Sequence, residues 1–339
     1  MELGRHGFRV VKGQRTYWHL LEARRKPSEY EIASSRLLTY GPRGFEVEVP
    51  VAGWYATYQQ GSPFRCGAWD DFRDPRETTY ARYAELQARK ETYVAGLLDV
   101  LDATGYDRNL SPAWLAVLER VLAPLRYPAH GLQMLAAYVA HMAPGGRIVI
   151  AASLQAADEM RRVHFLAHRM RQIQVTHEGF APASKTTWCQ DPVWQPLREL
   201  VERMLVTYDW GESFTALNLV VKPALDELFM VHFAQLAASQ GDEILAKIFL
   251  SLDEDCAWHR AWSRALVEHV VADDHGNRAW IDTWCEKWRP PVGRAIDAFA
   301  PVWDALPEAA GRPAFAEVRA AIEANGRRHR EVSGAGGAD

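Results

Sequence analysis

The feature that most constrains the fold is a pair of long helical patterns, at about residues 147–176 and 243–271. In each pattern apolar residues recur in steps of three and four, which keeps one helical face towards other helices. In the first pattern these residues are Val149, Ala152, Ala156, Met160, Val163, Ala167 and Met170. In the second pattern they are Leu245, Phe249, Leu252, Cys256, His259, Leu266 and Val270. Helices of this length need long neighbours, so the patterns predict a bundle.

Most of the remaining chain also has helical periodicity. Further helices are predicted at about 74–103, 112–125, 126–143, 193–208, 211–239, 278–288, 291–305 and 313–328. Pro223 lies inside one of them and should kink or split it. Residues 182–192 are predicted to be a loop and residues 240–242 a turn, and alternation typical of a strand occurs only at 45–51. We therefore predict an all-α fold with an irregular N-terminal segment at 1–75, a helical core at 76–290, C-terminal helices at 291–332 and a disordered tail at 333–339.

The N-terminal segment differs in composition from the rest of the chain. Residues 1–26 are basic, which is typical of a solvated, partly mobile arm, and residues 26–75 are rich in Gly, Pro and isolated aromatic residues. Because such a long irregular stretch is unusual in a compact domain, we expect it to lie extended over a partner protein. The candidate interface residues are Trp18, Tyr30, Trp54, Tyr55, Trp69 and Phe72. The alternative is that the 13 Trp, 12 Tyr and 12 Phe of the chain fill a large core.

Charge and cysteine content exclude several classes of protein. A formal net charge of −4 argues against nucleic-acid binding, which needs a basic face to neutralise phosphates. Four cysteines without a CxxC pair, and no apolar signal-peptide core, favour a reducing, cytoplasmic setting. Prolines and histidines interrupt the longest uncharged run, 127–146, so it predicts a buried helix and not a membrane span. Motifs for nucleotide, flavin or haem binding are missing, and none of these groups is expected.

Each of the two long patterns carries a five-residue frame that resembles half of a metal site. The first frame is Asp158-Glu159-Met160-Arg161-Arg162 and the second is Asp255-Cys256-Ala257-Trp258-His259. Ferritin-like di-iron bundles use a Glu from each of two helices and a Glu-x-x-His from each of two others, because this spacing puts carboxylate and imidazole on one helical face. Here Glu159-x-x-Arg162 lacks the histidine, and Cys256-x-x-His259 lacks the glutamate. Neither half is complete.

Other interpretations of these residues remain open from the sequence. Glu159, Cys256 and His259 could form a variant metal site in a self-sufficient enzyme, since thiolate and imidazole suit zinc. His164 and His168 have the spacing of helical zinc ligands, but no HExxH motif surrounds them, and a packed or solvated face is the simpler interpretation. The basic run at 327–330 could bind an anion, although a solvated helix end is more typical. A sensing or storage protein on a degenerate ferritin-like bundle is a further alternative.

Longer strings within residues 18–290 carry a resemblance to a known family. They include Trp18-His19-Leu20, Arg25-Lys26-Pro27-Ser28-Glu29-Tyr30, Trp69-Asp70-x-Phe72-x-Asp74-Pro75, Asp209-Trp210-Gly211-Glu212, Asn218-Leu219-Val220-Val221-Lys222-Pro223 and Glu286-Lys287-Trp288-Arg289-Pro290. With these strings the chain resembles the β-subunit of the hydroxylase component of soluble bacterial multicomponent di-iron monooxygenases. The resemblance is greatest to the toluene and alkene monooxygenase branch.

The resemblance implies a ferritin-like, ribonucleotide-reductase-like bundle shared with the catalytic α-subunit, but with no cofactor and no catalytic residue in this chain. It implies an (αβγ)2 hydroxylase whose α-subunit holds the di-iron centre and inserts oxygen from O2 into an alkene or aromatic hydrocarbon. Electrons would come from NADH through a reductase and a Rieske-type ferredoxin, and an effector protein would act on the complex. The family's other two carboxylate positions correspond to about Ala129 and to Lys222, and neither is acidic. We therefore expect Glu159 and Arg162, with Lys222 as a further candidate, to form an internal ion-pair cluster in place of metal.

Overall fold

The computed structural model of the protein describes residues 28–34, 50–307 and 311–332. These residues form helices, and no strand occurs among them, so the predicted all-α fold is confirmed. The helices are α1 (Glu29–Ser34), α2 (Pro50–Tyr55), α3 (Tyr80–Thr104), α4 (112–142), α5 (Gly146–Thr176), α6 (Ser184–Gln190), α7 (Gln195–Leu205), α8 (210–239), α9 (Glu243–Asp273), α10 (Asn277–Asp297), α11 (Ala300–Asp304) and α12 (Phe315–Val332).

Two of the long helices contain π-helical turns. Helix α4 consists of Pro112–Val117, a π-helical turn at Leu118–Leu122, and Ala123–Met142. Helix α8 consists of Trp210–Phe214, π-helical Thr215–Val221, Lys222–Asp226, π-helical Glu227–His232, and Phe233–Ser239. Helix α4 packs along α5, and α8 packs against α9, which gives the four-helix centre of the bundle. In the described part of the chain no helix is both long and apolar enough to cross a membrane.

Helix α3 begins later than the sequence predicted. Its N-cap is Thr79, whose hydroxyl accepts a hydrogen bond from the backbone N–H of Arg82. Asp74, the predicted start, instead accepts hydrogen bonds from the backbone N–H groups of Arg76 and Thr78 and closes a turn. An Asp before a proline can therefore cap a turn as well as a helix, because both expose free N–H groups.

At three prolines where the sequence predicted a helix boundary, kink or break, the helix continues. Helix α4 continues through Pro128, and α10 continues through Pro290 and Pro291. In α8, helical structure persists on both sides of Pro223, directly after a π-helical turn, so the helix is not split. A proline inside a helix costs about 3 kcal/mol. Since Pro128, Pro223 and Pro291 are buried, packing of the adjoining turns outweighs that cost.

The prediction that residues 26–75 are irregular was wrong for much of the described part. Helices α1 and α2 lie there, together with a π-helical turn at Ala56–Gln60 and a 3-10 turn at Trp69–Asp71. Helix α6 likewise occupies the predicted loop at 182–192. The predicted basic arm at 1–26, the disordered tail at 333–339 and residues 45–49 of the predicted strand lie outside the described residues, and Pro50 and Val51 are helical.

The buried face of α5 also differs from the predicted apolar stripe. Ala167 is exposed, and Met160 and Val163 are only half-buried. The deepest line of α5, meaning its most buried residues at spacings of three and four, consists of Ile148, Ala152, Gln155, Glu159, Arg162, Leu166, Arg169 and Ile173. Half of these residues are polar or charged, so the hydrophobic pattern alone predicted the neighbouring face of the helix as the buried one. On α9 the predicted stripe is buried at every position.

Candidate functional site

The centre of the bundle contains a closed ring of four charged side chains, which we call the central ion cluster: Glu159, Arg162, Lys222 and Asp226. Glu159 is fully buried, with its Oε2 2.9 Å from Arg162 Nη1 and its Oε1 2.6 Å from Lys222 Nζ. Asp226 Oδ1 lies 3.2 Å from Arg162 Nη1 and 2.9 Å from Lys222 Nζ. Two cations thus alternate with two carboxylates, and the cluster carries no net charge. The predicted pairing of Glu159 with Arg162 and Lys222 is confirmed.

Local helical geometry brings these four side chains together. Glu159 and Arg162 are three residues apart on α5, and Lys222 and Asp226 are four apart on α8, so each pair shares a helical face. The turn before Lys222 is π-helical, which inserts an extra residue and changes the direction of the side chains that follow. The facing carboxylates and cations are buried, where electrostatic attraction is stronger than in water.

The electrostatics of the ring follow from its burial and pairing. Burial alone would raise the pKa of Asp226, but Lys222 and Arg162 outweigh it and hold that pKa below its usual range. Burial alone would lower the pKa of Lys222, yet the surrounding anionic groups raise it. Lys222 and Asp226 are therefore both charged.

Cys256 of α9 completes the contacts around the ring. Its Sγ lies 2.9 Å from Arg162 Nη2 and 3.8 Å from Lys222 Nζ, and the thiol faces the backbone carbonyl of Leu252 at 3.5 Å. Burial, together with the Asp226 carboxylate, raises the pKa of the Cys256 thiol. The raised pKa favours the neutral thiol, whose sulfur accepts a hydrogen bond from Arg162.

A second group of polar residues, the outer polar layer, lies beside the ring: Asp158, His259, Asp255, Arg161 and Lys90. His259 Nε2 is 2.9 Å from Asp158 Oδ2, while Arg161 and Lys90 both form ion pairs with Asp255. In each five-residue frame an aspartate comes directly before the first ligand-like position. Asp158 of α5 contacts α9, and Asp255 of α9 contacts α5. The layer therefore connects α5 to α9, with Lys90 contributed by α3.

The Asp158 and His259 pair holds one proton in the folded protein at mildly acidic pH. Burial, and then the nearby Asp255, raise the pKa of Asp158 to about 7. Burial, and then Lys222, lower the pKa of His259 to about 3. Between the ordinary pKa values of 3.8 and 6.5, the folded pair carries its proton on Asp158, whereas in the unfolded chain the proton is on His259. The folded protein and the unfolded chain thus bind the same number of protons on this pair in that pH range, so the pair does not make stability depend on pH there.

Sequence reasoning identified part of this arrangement. Glu159, Arg162, Lys222 and Cys256 come together as a group, whereas His259 points to Asp158 in the outer polar layer. Asp226 was missed, although its i, i+4 spacing from Lys222 was a usable signal. His164 and His168 are exposed, and Ala129 is buried.

The predicted interface residues have different environments. Tyr30, Tyr55 and Phe72 are buried inside this chain and have almost no surface to offer a partner, so the expectation that they anchor on another protein was wrong. Trp69 is half-buried. Trp54 is 37% exposed and stays a candidate, while Trp18 lies outside the described residues.

The donor set does not fit a di-iron centre. Arg162 and Lys222 offer no lone pair, both oxygens of Glu159 face these two cations, and the sulfur of Cys256 faces Arg162. Across residues 28–34, 50–307 and 311–332, no group of three or more His, Cys, Asp or Glu side chains is arranged to hold a metal ion. A metal would also add positive charge to a ring that is already neutral.

Comparison with known proteins gives this bundle a family. Residues 54–274 match the family described as methane/phenol/alkene hydroxylase. The chain belongs to this family. It is 38% identical over 300 residues to the hydroxylase component subunit beta of the toluene-4-monooxygenase system from Ectopseudomonas mendocina, which covers 86% of this chain and 91% of that relative.

Solved structures of the family share the fold. A chain of toluene 4-monooxygenase, with toluene bound in the resting active site, superposes with a TM-score of 0.81 at 37% identity, covering 87% of this chain and 99% of that chain. A chain of phenol hydroxylase from Pseudomonas sp. OX1 has a TM-score of 0.80 at 22% identity, covering 95% and 97% of the two chains. The protein is thus a β-subunit of a multicomponent monooxygenase hydroxylase with a ferritin-like fold, as the resemblance implied. A self-sufficient enzyme at Glu159, Cys256 and His259 is not favoured.

Proposed function

We propose that this β-subunit holds no metal and performs no redox chemistry, and that it is a structural subunit of its hydroxylase. The observation that carries the proposal is the pair of cations, Arg162 and Lys222, on the two oxygens of Glu159. The resemblance implies that this arginine and this lysine stand at two positions where the family's catalytic chain has ligands. The helices are retained for packing, while the charges that a metal would have balanced are balanced by side chains.

Charge supports the same proposal. Two divalent ions would bring four positive charges to a ring in which two carboxylates already face two cations. To admit them, Arg162 and Lys222 would have to leave a buried site, and the described residues contain no group of three or more His, Cys, Asp or Glu side chains arranged to hold a metal. An uncompensated buried charge costs several kcal/mol, at about 3–5 kcal/mol when one partner of a pair is removed.

The assembly that we propose has the composition (αβγ)2. Its α-subunit would hold the di-iron centre and use O2 and NADH to epoxidise an alkene or hydroxylate an aromatic hydrocarbon. A reductase, a Rieske-type ferredoxin and an effector protein would act on the complex in the cytoplasm. Support comes from relatives that are hydroxylase components of multicomponent monooxygenases, including one named for toluene.

Metal analysis of the purified hydroxylase and of the separated subunits tests this function. Iron should remain with the α-subunit, which serves as the internal control for metal retention, and the β-subunit should contain none. Two irons per β-subunit, or NADH-dependent turnover by the β-subunit alone, would overturn the proposal.

The basic arm at 1–26 gives a second test of the structural role. Deletion of these residues should weaken assembly with the partner subunits and leave the iron content of the α-subunit unchanged. Assembly at the affinity of the full-length chain would contradict a wrapping role for the arm.

A further inference from the structure

A groove of about 630 Å³ lies between α8, α10 and α12, which we call the C-terminal groove. Its apolar lining residues are Leu219, Val220, Ala224, Pro290, Val292, Ile296 and Ile322. A volume of this size is in the range of binding pockets, and apolar walls with a few convergent polar groups are typical of such sites. The central ion cluster plays no part in this surface, so the groove requires its own explanation.

The rim of the groove is basic. Arg289, Arg294, Arg319 and Arg327 line it, against Asp297 and Glu323 as the acidic residues. Arg319 is neutralised, because its Nε lies 2.6 Å from Asp297 Oδ1 and its Nη1 lies 2.5 Å from Glu323 Oε1.

The other three arginines are exposed, and none of them forms an ion pair with another residue in the described part of the chain. Two unbalanced positive charges therefore remain around the groove on a chain whose formal net charge is −4.

Close approach of α10 and α12 defines one end of the groove. A Cβ atom on Gly293 would lie 3.2 Å from Arg319 Nη2, so the glycine lets the arginine cross between the two helices. Val318 and Ile322 bury the inner side of α12, whereas Arg327 on its last turns points outwards. The walls are therefore held by packing and by the Arg319 ion pairs before any ligand binds.

We propose that the C-terminal groove binds an acidic, amphipathic helix of another subunit of the same hydroxylase. Apolar side chains at i, i+3, i+4 and i+7 of such a helix would fill the groove, and its carboxylates would pair with Arg289, Arg294 and Arg327. The charge of the rim selects an acidic partner, and the apolar lining, contributed by three helices, suits a helix. This inference uses the proposed function only in assuming that partner subunits exist.

Charge reversal tests the groove in the assembled hydroxylase. The variant Arg289→Glu/Arg294→Glu should weaken association of this chain with its partner subunits by about ten-fold or more, because attraction becomes repulsion. Association is measured by sedimentation or mass photometry over a dilution series. Arg108→Glu/Arg171→Glu is the matched control, since both residues are exposed, lie outside the groove and give the same change in charge. The control should assemble like the unaltered chain, and circular dichroism checks that both variants fold.

A photo-cross-linker identifies the occupant. With p-benzoylphenylalanine in place of Pro290, which is exposed at the groove, irradiation of the complex should join this chain to a partner peptide rich in Asp or Glu. A cross-link only to a second copy of this chain, a partner peptide without acidic residues, or equal assembly of the reversal and control variants would overturn the inference. The iron measurement does not depend on the groove. A β-subunit that contains no iron, and whose charge-reversal variant assembles as well as the control variant, would therefore refute this inference and leave the proposed function standing.

Discussion

Removal of one charge from the central ion cluster should be far more harmful than removal of a matched pair. In Glu159→Gln, Arg162 and Lys222 are left to share Asp226, so a net charge of about +1 stays buried in the bundle. In Lys222→Met, Glu159 and Asp226 share Arg162, and the uncompensated charge is negative. Each single variant should lose about 3–5 kcal/mol of unfolding free energy, the usual cost of breaking a buried ion pair.

The double variant Glu159→Gln/Lys222→Met should be much closer to the unaltered protein. It removes one charge of each sign and leaves Arg162 paired with Asp226 at 3.2 Å. Replacement of a complete buried pair by groups of similar volume is often nearly neutral, so we expect a loss of about 0–2 kcal/mol. The sum of the single losses would be about 6–10 kcal/mol, and the difference is a coupling free energy of at least about 4 kcal/mol.

Urea unfolding followed by tryptophan fluorescence measures these free energies. The matched control is Glu202→Gln, which breaks the exposed Arg198 to Glu202 pair of α7, 2.7 Å long, and should change stability by less than about 1 kcal/mol. If Glu159→Gln lost no more than this control, or if the double variant lost the sum of the single losses, the reasoning about the ring would be wrong.

Further predictions concern proton balance and close packing. His259→Gln removes the side chain that binds a proton in the unfolded chain, and only the raised pKa of Asp158 in the folded protein remains. The free energy of unfolding should therefore decrease as pH rises from about 4 to 7, by up to about 1.4 kcal/mol per pH unit. Asp158→Asn leaves only the lowered pKa of His259, so stability should instead fall as pH decreases from about 6.5 to 3; equal slopes in urea titrations would refute this account. Gly211→Ala would place a Cβ 2.5 Å from Phe64 Cβ and should cost about 1–3 kcal/mol, whereas Gly96→Ala, which has open space around it, should not destabilise.

The sequence by itself determined the class of fold and three of the four residues of the central ion cluster, Glu159, Arg162 and Lys222. Periodicity gave the long helices α5 and α9, since an apolar face repeats along each of them, and the buried stripe of α9 was correct at every position. The spacing of Glu159 and Arg162 predicted their ion pair, because residues three apart share a helical face. The longer strings gave the family, because each specifies many residues at once.

Only the tertiary structure decided how those residues pair and which face lies deepest. The pairing of Asp158 with His259, and of Asp226 with Arg162, joins residues distant in sequence, so no local spacing reports it. On α5 the deepest line is partly charged, because Lys222 and Asp226 of α8 and Asp107 supply the opposite charges that make its burial possible. Tyr55 and Phe72 illustrate the same limit: their aromatic character signals burial, but only packing shows that they are buried within this chain.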